Sequence, residues 1–487
     1  MRILYIDCDT QRVDHFGCYG YHRDTSPNID RIASEGIRFT NYYASDAPCL
    51  PSRCALMNSR FGIHTGTVGH GGTAADMRLE GGPRGFANHP DVAPWMQRMR
   101  AAGYYTVTVS PYAERHGAWW FYNGFAEMFN PGKRGNERAD EVAPYALDWL
   151  ERHGRDDNWF LHVNFWDPHT VYRTPKEYGN PFENDPPPAW HTEQVRQRNW
   201  ERYGPHSARE PFGWPWEQER AAPRNPHLPS AIASLEDYKR WIDGYDASIH
   251  YMDHHIGLII EALERQGVLN DTAIIVSADH GENQGELNVY GDHQTADYPT
   301  SRVPLIIRWP GVALQGAVYD GLLYNVDLAP TVMDLVGGEP APRWDGTSFA
   351  TAVRGAPFEA HDVLVVGQCC WTAQRSVRWD NWLLVRTYHD AYRGYPDVML
   401  FDIENDPHEL NDLATDRPEV VNAGLATLER WTAEMMMTSD CAEDPLWRVL
   451  REGGPLHSRG CKERFCKYLR RSGRARQADE IEARHGK

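Results

Sequence analysis

Ile3-Leu4-Tyr5-Ile6 is a short unbroken apolar run that stops at Asp7-Cys8-Asp9. A run of this kind fits a strand buried on both faces of a parallel sheet. It leaves carboxylates at the strand's C-terminal end, where open α/β sheets bind their ligands. Ser26-Pro27-Asn28 comes next, and Ile29, Ile32 and Ala33 follow at helical spacing, so a helix opens there with proline in its first turn. The same alternation then repeats. Residues 93–102 read as a helix with Pro94 in its first turn, 105–109 as a strand, 139–153 as a helix and 159–165 as a strand. Residues 170–230 are rich in Pro, Trp and Glu and lack periodicity, and they read as an insertion over the active site. Tyr245, Ile249, Met252, Ile256, Ile259 and Ile260 mark a long helix over 237–266. Strands are expected at 273–277 and 303–308, and Asp327-Leu328-Ala329-Pro330-Thr331 opens another helix.

The pattern changes after about residue 355. Short alternating stretches at 363–367, 375–378, 382–386 and 399–401 are separated by turn residues, and a helix is expected over 418–435. The expected architecture is therefore α/β. A mostly parallel central sheet flanked by helices occupies residues 1–355, and a smaller antiparallel subdomain with a basic tail occupies 356–487. The arginines and lysines of that tail, beginning at Arg448, are expected to form a solvated helix face.

Composition narrows the function. The 487 residues carry a formal net charge of −18, which argues against a nucleic-acid or anionic-membrane binder. A small anionic substrate stays open, because a metal ion and a few Arg or His residues set the local field. Aromatic residues make up 12%, with 18 Trp, enough for the core and for flat platforms under sugar rings. Nine cysteines show no C-x-x-C pair, so no structural zinc site is expected. Met1-Arg2 leads directly into the first strand without a signal-peptide apolar region, and no apolar run reaches roughly 18 residues. A cytoplasmic location with reduced thiols is expected, or a periplasmic one if a leader was removed.

Two segments carry candidate chemistry. Cys49-Leu50-Pro51-Ser52-Arg53 sits after a loop and before helically spaced residues, which puts Cys49 at a helix N-terminus suited to anions. On its own, C-x-P-x-R also describes a buried cysteine in a proline-containing loop. Ser277-Ala278-Asp279-His280-Gly281-Glu282 ends a β-branched strand, so Asp279 and His280 can reach a metal together, with Asp9 at the end of another strand. Carboxylates beside an anion site suit Ca²⁺ or Mg²⁺.

The motif from Cys49 through Gly66 resembles the sulfatase signature. So do Asp9-Thr10-Gln11-Arg12 through Gly20, Thr25 through Ala33, Trp166-Asp167-Pro168-His169, Asp279-His280-Gly281-Glu282, Arg302-Val303-Pro304-Leu305 and Leu400 through Pro407. The order and spacing agree from residue 3 to about 413. The resemblance implies an alkaline-phosphatase-like fold with a small C-terminal subdomain. It implies that a maturation enzyme oxidises Cys49 to formylglycine, whose hydrate is the nucleophile. It also implies that Asp9, Asp279 and His280 bind the cation beside Cys49, with Asp7 a weaker candidate ligand. Arg53 would orient the hydrate, and His169 would contact the sulfate ester. Two customary lysines are missing. Where the family carries Gly-Lys-Trp-His, this chain reads Ser110-Pro111-Tyr112-Ala113-Glu114-Arg115-His116. Where a lysine follows the Asp-His-Gly segment, it reads Tyr290-Gly291-Asp292-His293-Gln294. His116 and His293 are expected in those places, with Arg115 also contacting substrate and His293 donating the proton to the leaving group. The expected activity is hydrolysis of a sulfated carbohydrate such as a glycosaminoglycan-derived saccharide. The alternative within the superfamily is a phosphonate monoester or phosphodiester hydrolase. A non-catalytic binder would have lost the nucleophile or the metal ligands, which are present.

Overall fold

The computed structural model describes residues 1–78 and 89–486. Its large sheet runs in the order Ala317–Tyr319, Ile37–Tyr43, Arg302–Arg308, Thr272–Ala278, Arg2–Cys8, Trp159–Phe165, Tyr105–Val109, Glu127–Phe129, with Leu323–Tyr324 also on the Ile37–Tyr43 strand. From Thr272–Ala278 to Glu127–Phe129 every pairing is parallel, while Arg302–Arg308 is antiparallel to both neighbours. The central strands are apolar because helices cover both faces. Ile3, Leu4, Tyr5 and Ile6 are fully buried, as are Ile274, Ile275 and Val276. The strand Ile37–Tyr43 was not among those expected. Its start alternates buried Ile37 and Phe39 with half-exposed Arg38 and Thr40, the mark of a strand covered on one face.

Helix Leu235–Arg265 packs against Ala139–His153 and Pro27–Ser34. Seven tryptophans (95, 149, 159, 166, 214, 241 and 309) rank among the largest fully buried side chains, so much of the indole content serves packing. The second sheet runs Val398–Asp402, Trp382–His389, Ala373–Trp379, Val363–Gln368 and is antiparallel. Its far edge pairs in parallel with Asp46-Ala47, immediately before the Cys49 helix. The two sheets therefore share the segment that delivers Cys49.

The basic tail is amphipathic. Arg470 pairs with Asp479 and Glu482 on the outside. Phe465, Leu469 and Ile481 pack inward on Trp214, Trp371 and Tyr392. All nine cysteines are free thiols. Among the described residues, no helix is long and apolar enough to cross a membrane.

Candidate active site

Strand register brings the first two acids together. In the parallel pair Arg2–Cys8 and Thr272–Ala278, Cys8 lies opposite Ala278, so the next residues, Asp9 and Asp279, emerge side by side at the C-terminal edge. On the other side Cys8 lies opposite Phe165, which carries Trp166, Asp167 and His169 to the same edge. The next strand, Tyr105–Val109, is followed by helix Tyr112–His116, which brings Arg115 and His116. Cys49 is the first residue of helix Cys49–Asn58, and Arg53 sits one turn on, on the same face.

Arg53 is fully buried among acids. Its Nε donates to Asp7 Oδ2 at 3.0 Å, and its Nη1 donates to Asp9 Oδ2 at 3.0 Å and to Asp279 Oδ2. The rings of Tyr112 and Trp166 lie 5.2 and 5.9 Å from the guanidinium carbon. Asp7 also lies 3.3 Å from His162 Nε2. Burial raises the Asp7 carboxyl, but Arg53 and His162 outweigh it and hold it below the usual range. Asp9 goes the other way: burial and the neighbouring Asp279 push it well up despite Arg53. Asp279 is pushed up to about 6, by burial first. Three buried carboxylates face one guanidinium, and that imbalance shifts Asp9, and to a lesser degree Asp279, toward the protonated form.

The donor set fits a cation. Donor atoms of Asp9, Cys49, Asp279 and His280 all lie within 4.8 Å of one another, and Asp9 Oδ1 is buried without a partner. His280 Nδ1 sits 2.8 Å from the Gly281 carbonyl and donates to it, leaving the Nε2 lone pair for a metal. His280 Nε2 lies 3.2 Å from Cys49 Sγ. Asp7 falls outside this group and meets the site through Arg53.

The opposite side is lined with imidazoles. The ring centre of His293 is 4.1 Å from that of His280 and 5.7 Å from that of His169, and its Nδ1 is buried without a partner. His116 also has a buried unpartnered Nε2, and nitrogens of His116 and His70 lie within 4.8 Å of Cys49 Sγ. His169 stacks on Trp166 and donates from Nδ1 to the Thr170 carbonyl at 2.5 Å. Its Nε2 is thus an acceptor while the ring is neutral. Burial pushes His280 and His293 down to about 3. Arg115 is exposed at the end of its helix. The structure thus gathers Asp9, Cys49, Arg53, His116, His169, Asp279, His280 and His293 at one sheet edge, while Asp7 reaches them through Arg53 and Arg115 stays exposed.

Four further histidines belong to its surroundings and were missed by sequence reasoning. They are His70, His162, His206, whose Nε2 lies 2.8 Å from Asp292, and His457. His162 had a signal, being an ionisable group inside an otherwise apolar strand. His206 lies in the 170–230 stretch, and its carbonyl accepts from Tyr290 N–H, which ties that stretch to the His293 loop.

Known proteins resemble this chain over most of its length. The Sulfatase family profile matches residues 2–338, and a second, N-sulphoglucosamine sulphohydrolase, C-terminal, matches 285–429. Choline-sulfatase of Rhizobium meliloti is 26% identical over 440 residues, covering 80% of this chain and 77% of its own. A solved complex of a protein with its substrate D-glucosamine-2-N,6-O-disulfate superposes with a TM-score of 0.71 at 19% identity, covering 90% of this chain and 98% of the other. The phosphonate monoester hydrolase of Agrobacterium radiobacter superposes with a TM-score of 0.66 at 20% identity, covering 89% and 96%. Both superpositions show a shared fold.

Proposed function

The chain belongs to the sulfatase family, and from that premise we propose that it removes sulfate from a sulfated carbohydrate, using a nucleophile made from Cys49. The observation that carries the proposal is the meeting of Asp9, Cys49, Asp279 and His280 within 4.8 Å, beside buried Arg53. The amino-sugar relatives named above support a sulfated saccharide as substrate.

Oxidation of Cys49 to formylglycine by a maturation enzyme supplies a hydrate with two hydroxyls on one carbon, one to attack sulfur and one to release sulfate as the aldehyde reforms. Asp9, Asp279 and His280 would hold Ca²⁺, or Mg²⁺, which lowers the pKa of a bound hydroxyl and polarises the ester. The remaining work falls to the chain's own side chains. Arg53, pinned by Asp7 and Asp9, fixes the position of the nucleophilic carbon. His116 and His293 present unpartnered nitrogens to the ester, and His293 is the proton donor to the leaving oxygen. His169 donates to a sulfate oxygen once protonated, and accepts a proton when neutral. Arg115 lies on the exposed side, where it meets the anionic substrate.

The test is to co-express the chain with a formylglycine-generating enzyme, load Ca²⁺, and assay sulfated disaccharides beside a phosphonate monoester and a phosphodiester. Sulfate release from a disaccharide is the expected outcome. Phosphonate or phosphodiester cleavage without any sulfate release would overturn it in favour of the superfamily alternative.

A further inference from the structure

Residues beyond 429 lie outside both family profiles, yet one of them enters the site. Between helices Pro445–Arg451 and Lys462–Arg471 the chain carries His457 against His70. His457 is fixed from three directions. Its N–H donates to the Cys370 carbonyl at 3.1 Å, its carbonyl accepts from Trp214 Nε1 at 2.9 Å, and its ring stacks on Trp371 at 4.9 Å and 28°. Behind it stands the apolar cluster of Trp214, Trp371, Phe465, Leu469 and Ile481. So held, His457 Nε2 lies 3.1 Å from His70 Nδ1, with the two rings nearly perpendicular at 87°.

A bond between two imidazole nitrogens needs one donor and one acceptor, and its sense fixes the tautomer of both rings. His70 Nε2 is buried without a partner, and His70 offers a nitrogen within 4.8 Å of Cys49 Sγ. With Nδ1 taken by His457, Nε2 is the nitrogen His70 has left for the site. Burial, His116 and His457 hold the His70 ring neutral. A sulfate ester offers acceptor oxygens only. A neutral His70 can donate to one only if its proton is on Nε2, which requires Nδ1 to accept from His457.

We propose that His457 is a positioning residue: its Nε2–H fixes His70 in the tautomer that donates from Nε2 to an ester oxygen, giving the site an uncharged donor in place of a missing lysine. The proposal rests on the sulfatase reading of the site. It makes the C-terminal segment part of the catalytic apparatus.

The test compares His457→Phe, which keeps a ring on Trp371 but has no donor, with His457→Gln, whose amide N–H can replace Nε2–H. In the matured, Ca²⁺-loaded protein, His457→Phe is expected to lower kcat roughly tenfold to a hundredfold, below the cost of losing a direct oxyanion donor. KM should stay within about threefold and His457→Gln should recover most of kcat, since the donor alone is removed and then restored. Selective ¹⁵N-histidine NMR of the unreacted protein reads the tautomer directly. His70 should carry its proton on Nε2 in wild type and in His457→Gln, and should lose that preference in His457→Phe. Equal kcat for His457→Phe and wild type, or a proton on His70 Nδ1 in wild type, would overturn the inference. If matured wild type releases no sulfate from any ester, the sulfatase reading fails, and the ¹⁵N spectrum still decides the tautomer.

Discussion

Cys49 stands between two unlike walls. On one side are Asp7, Asp9 and Asp279 with Arg53, all fully buried or nearly so and joined by ion pairs of about 3 Å. On the other are His70, His116, His169, His293 and His457, joined by ring contacts and single hydrogen bonds. Burial acts on the two walls in opposite senses. It pushes Asp9 and Asp279 up, toward the protonated acid, and pushes His70, His116, His293 and His457 down, toward the neutral base. Each wall is therefore poised for the opposite charge. A dication would restore the carboxylates to their charged form, and an anionic ester would draw protons onto the imidazoles. A site with two lysines would carry positive charge before the substrate arrives. Here Arg53 and Arg115 hold that charge, and the imidazoles would add to it on binding.

The largest expected effect comes from the residue both walls share. Cys49→Ser keeps an oxygen nucleophile between them but removes the second hydroxyl. The walls should still transfer the sulfo group once, so mass spectrometry should find one sulfo group on the peptide that spans position 49 of this variant after exposure to substrate. Turnover should fall by on the order of 10⁴-fold or more. Sustained turnover by Cys49→Ser would mean that release does not use a second hydroxyl. The next effect isolates the acidic wall. Arg53→Ala leaves three buried carboxylates with no guanidinium, which costs about 3–5 kcal/mol of stability in chelator. Added Ca²⁺ should recover more stability in Arg53→Ala than in wild type, because it replaces the missing positive charge. Urea unfolding with EDTA or Ca²⁺ measures both. Equal responses to Ca²⁺ would place the cation away from these acids.

The same contrast explains how far the sequence could be read. Asp9, Cys49, Asp279 and His280 sit at the ends of regular elements, and Arg53 lies one turn into the helix that Cys49 opens. A short apolar run marks each strand, strand ends collect at one edge, and a helical repeat of four puts Arg53 on the face of Cys49. Strands Tyr105–Val109 and Trp159–Phe165 and helix Ala139–His153 begin and end where their periodicity does. The imidazole wall has no such repeat behind it. His70 and His457 are 387 positions apart, in turns that neither pattern nor propensity places in contact. The tail showed its charges plainly, but charge says nothing about which face is covered. Its apolar positions Phe465, Leu469 and Ile481, which dock it beside Trp371, were the informative ones. His116 and His293 were found only because two expected lysines were absent at their positions.

The smallest effect probes the neutral-base side at its outer end, away from the cation ligands. His191 is 3% exposed, stacks on Tyr238 at 3.7 Å and 9°, and meets Tyr290 Oη at 2.7 Å. Burial pushes its pKa down to about 4, with Arg196 and Arg198 adding to the effect and Glu286 opposing it. An unfolded histidine titrates near 6.5. Between these values the unfolded chain binds the extra proton and the folded one does not, so stability rises with pH across that window. The contribution of a neutral His191 is complete above about 6.5 and is lost as pH falls toward 4. One pKa unit is worth about 1.4 kcal/mol, which bounds the loss at about 3 kcal/mol. His191→Asn keeps a polar side chain and removes the titration. Its stability deficit against wild type, read from urea midpoints, should be greatest at pH 7 and shrink toward pH 4. A deficit that stays constant across that range would show that His191 titrates in the folded protein as it does in the unfolded chain, and that the bias toward neutral bases ends short of it.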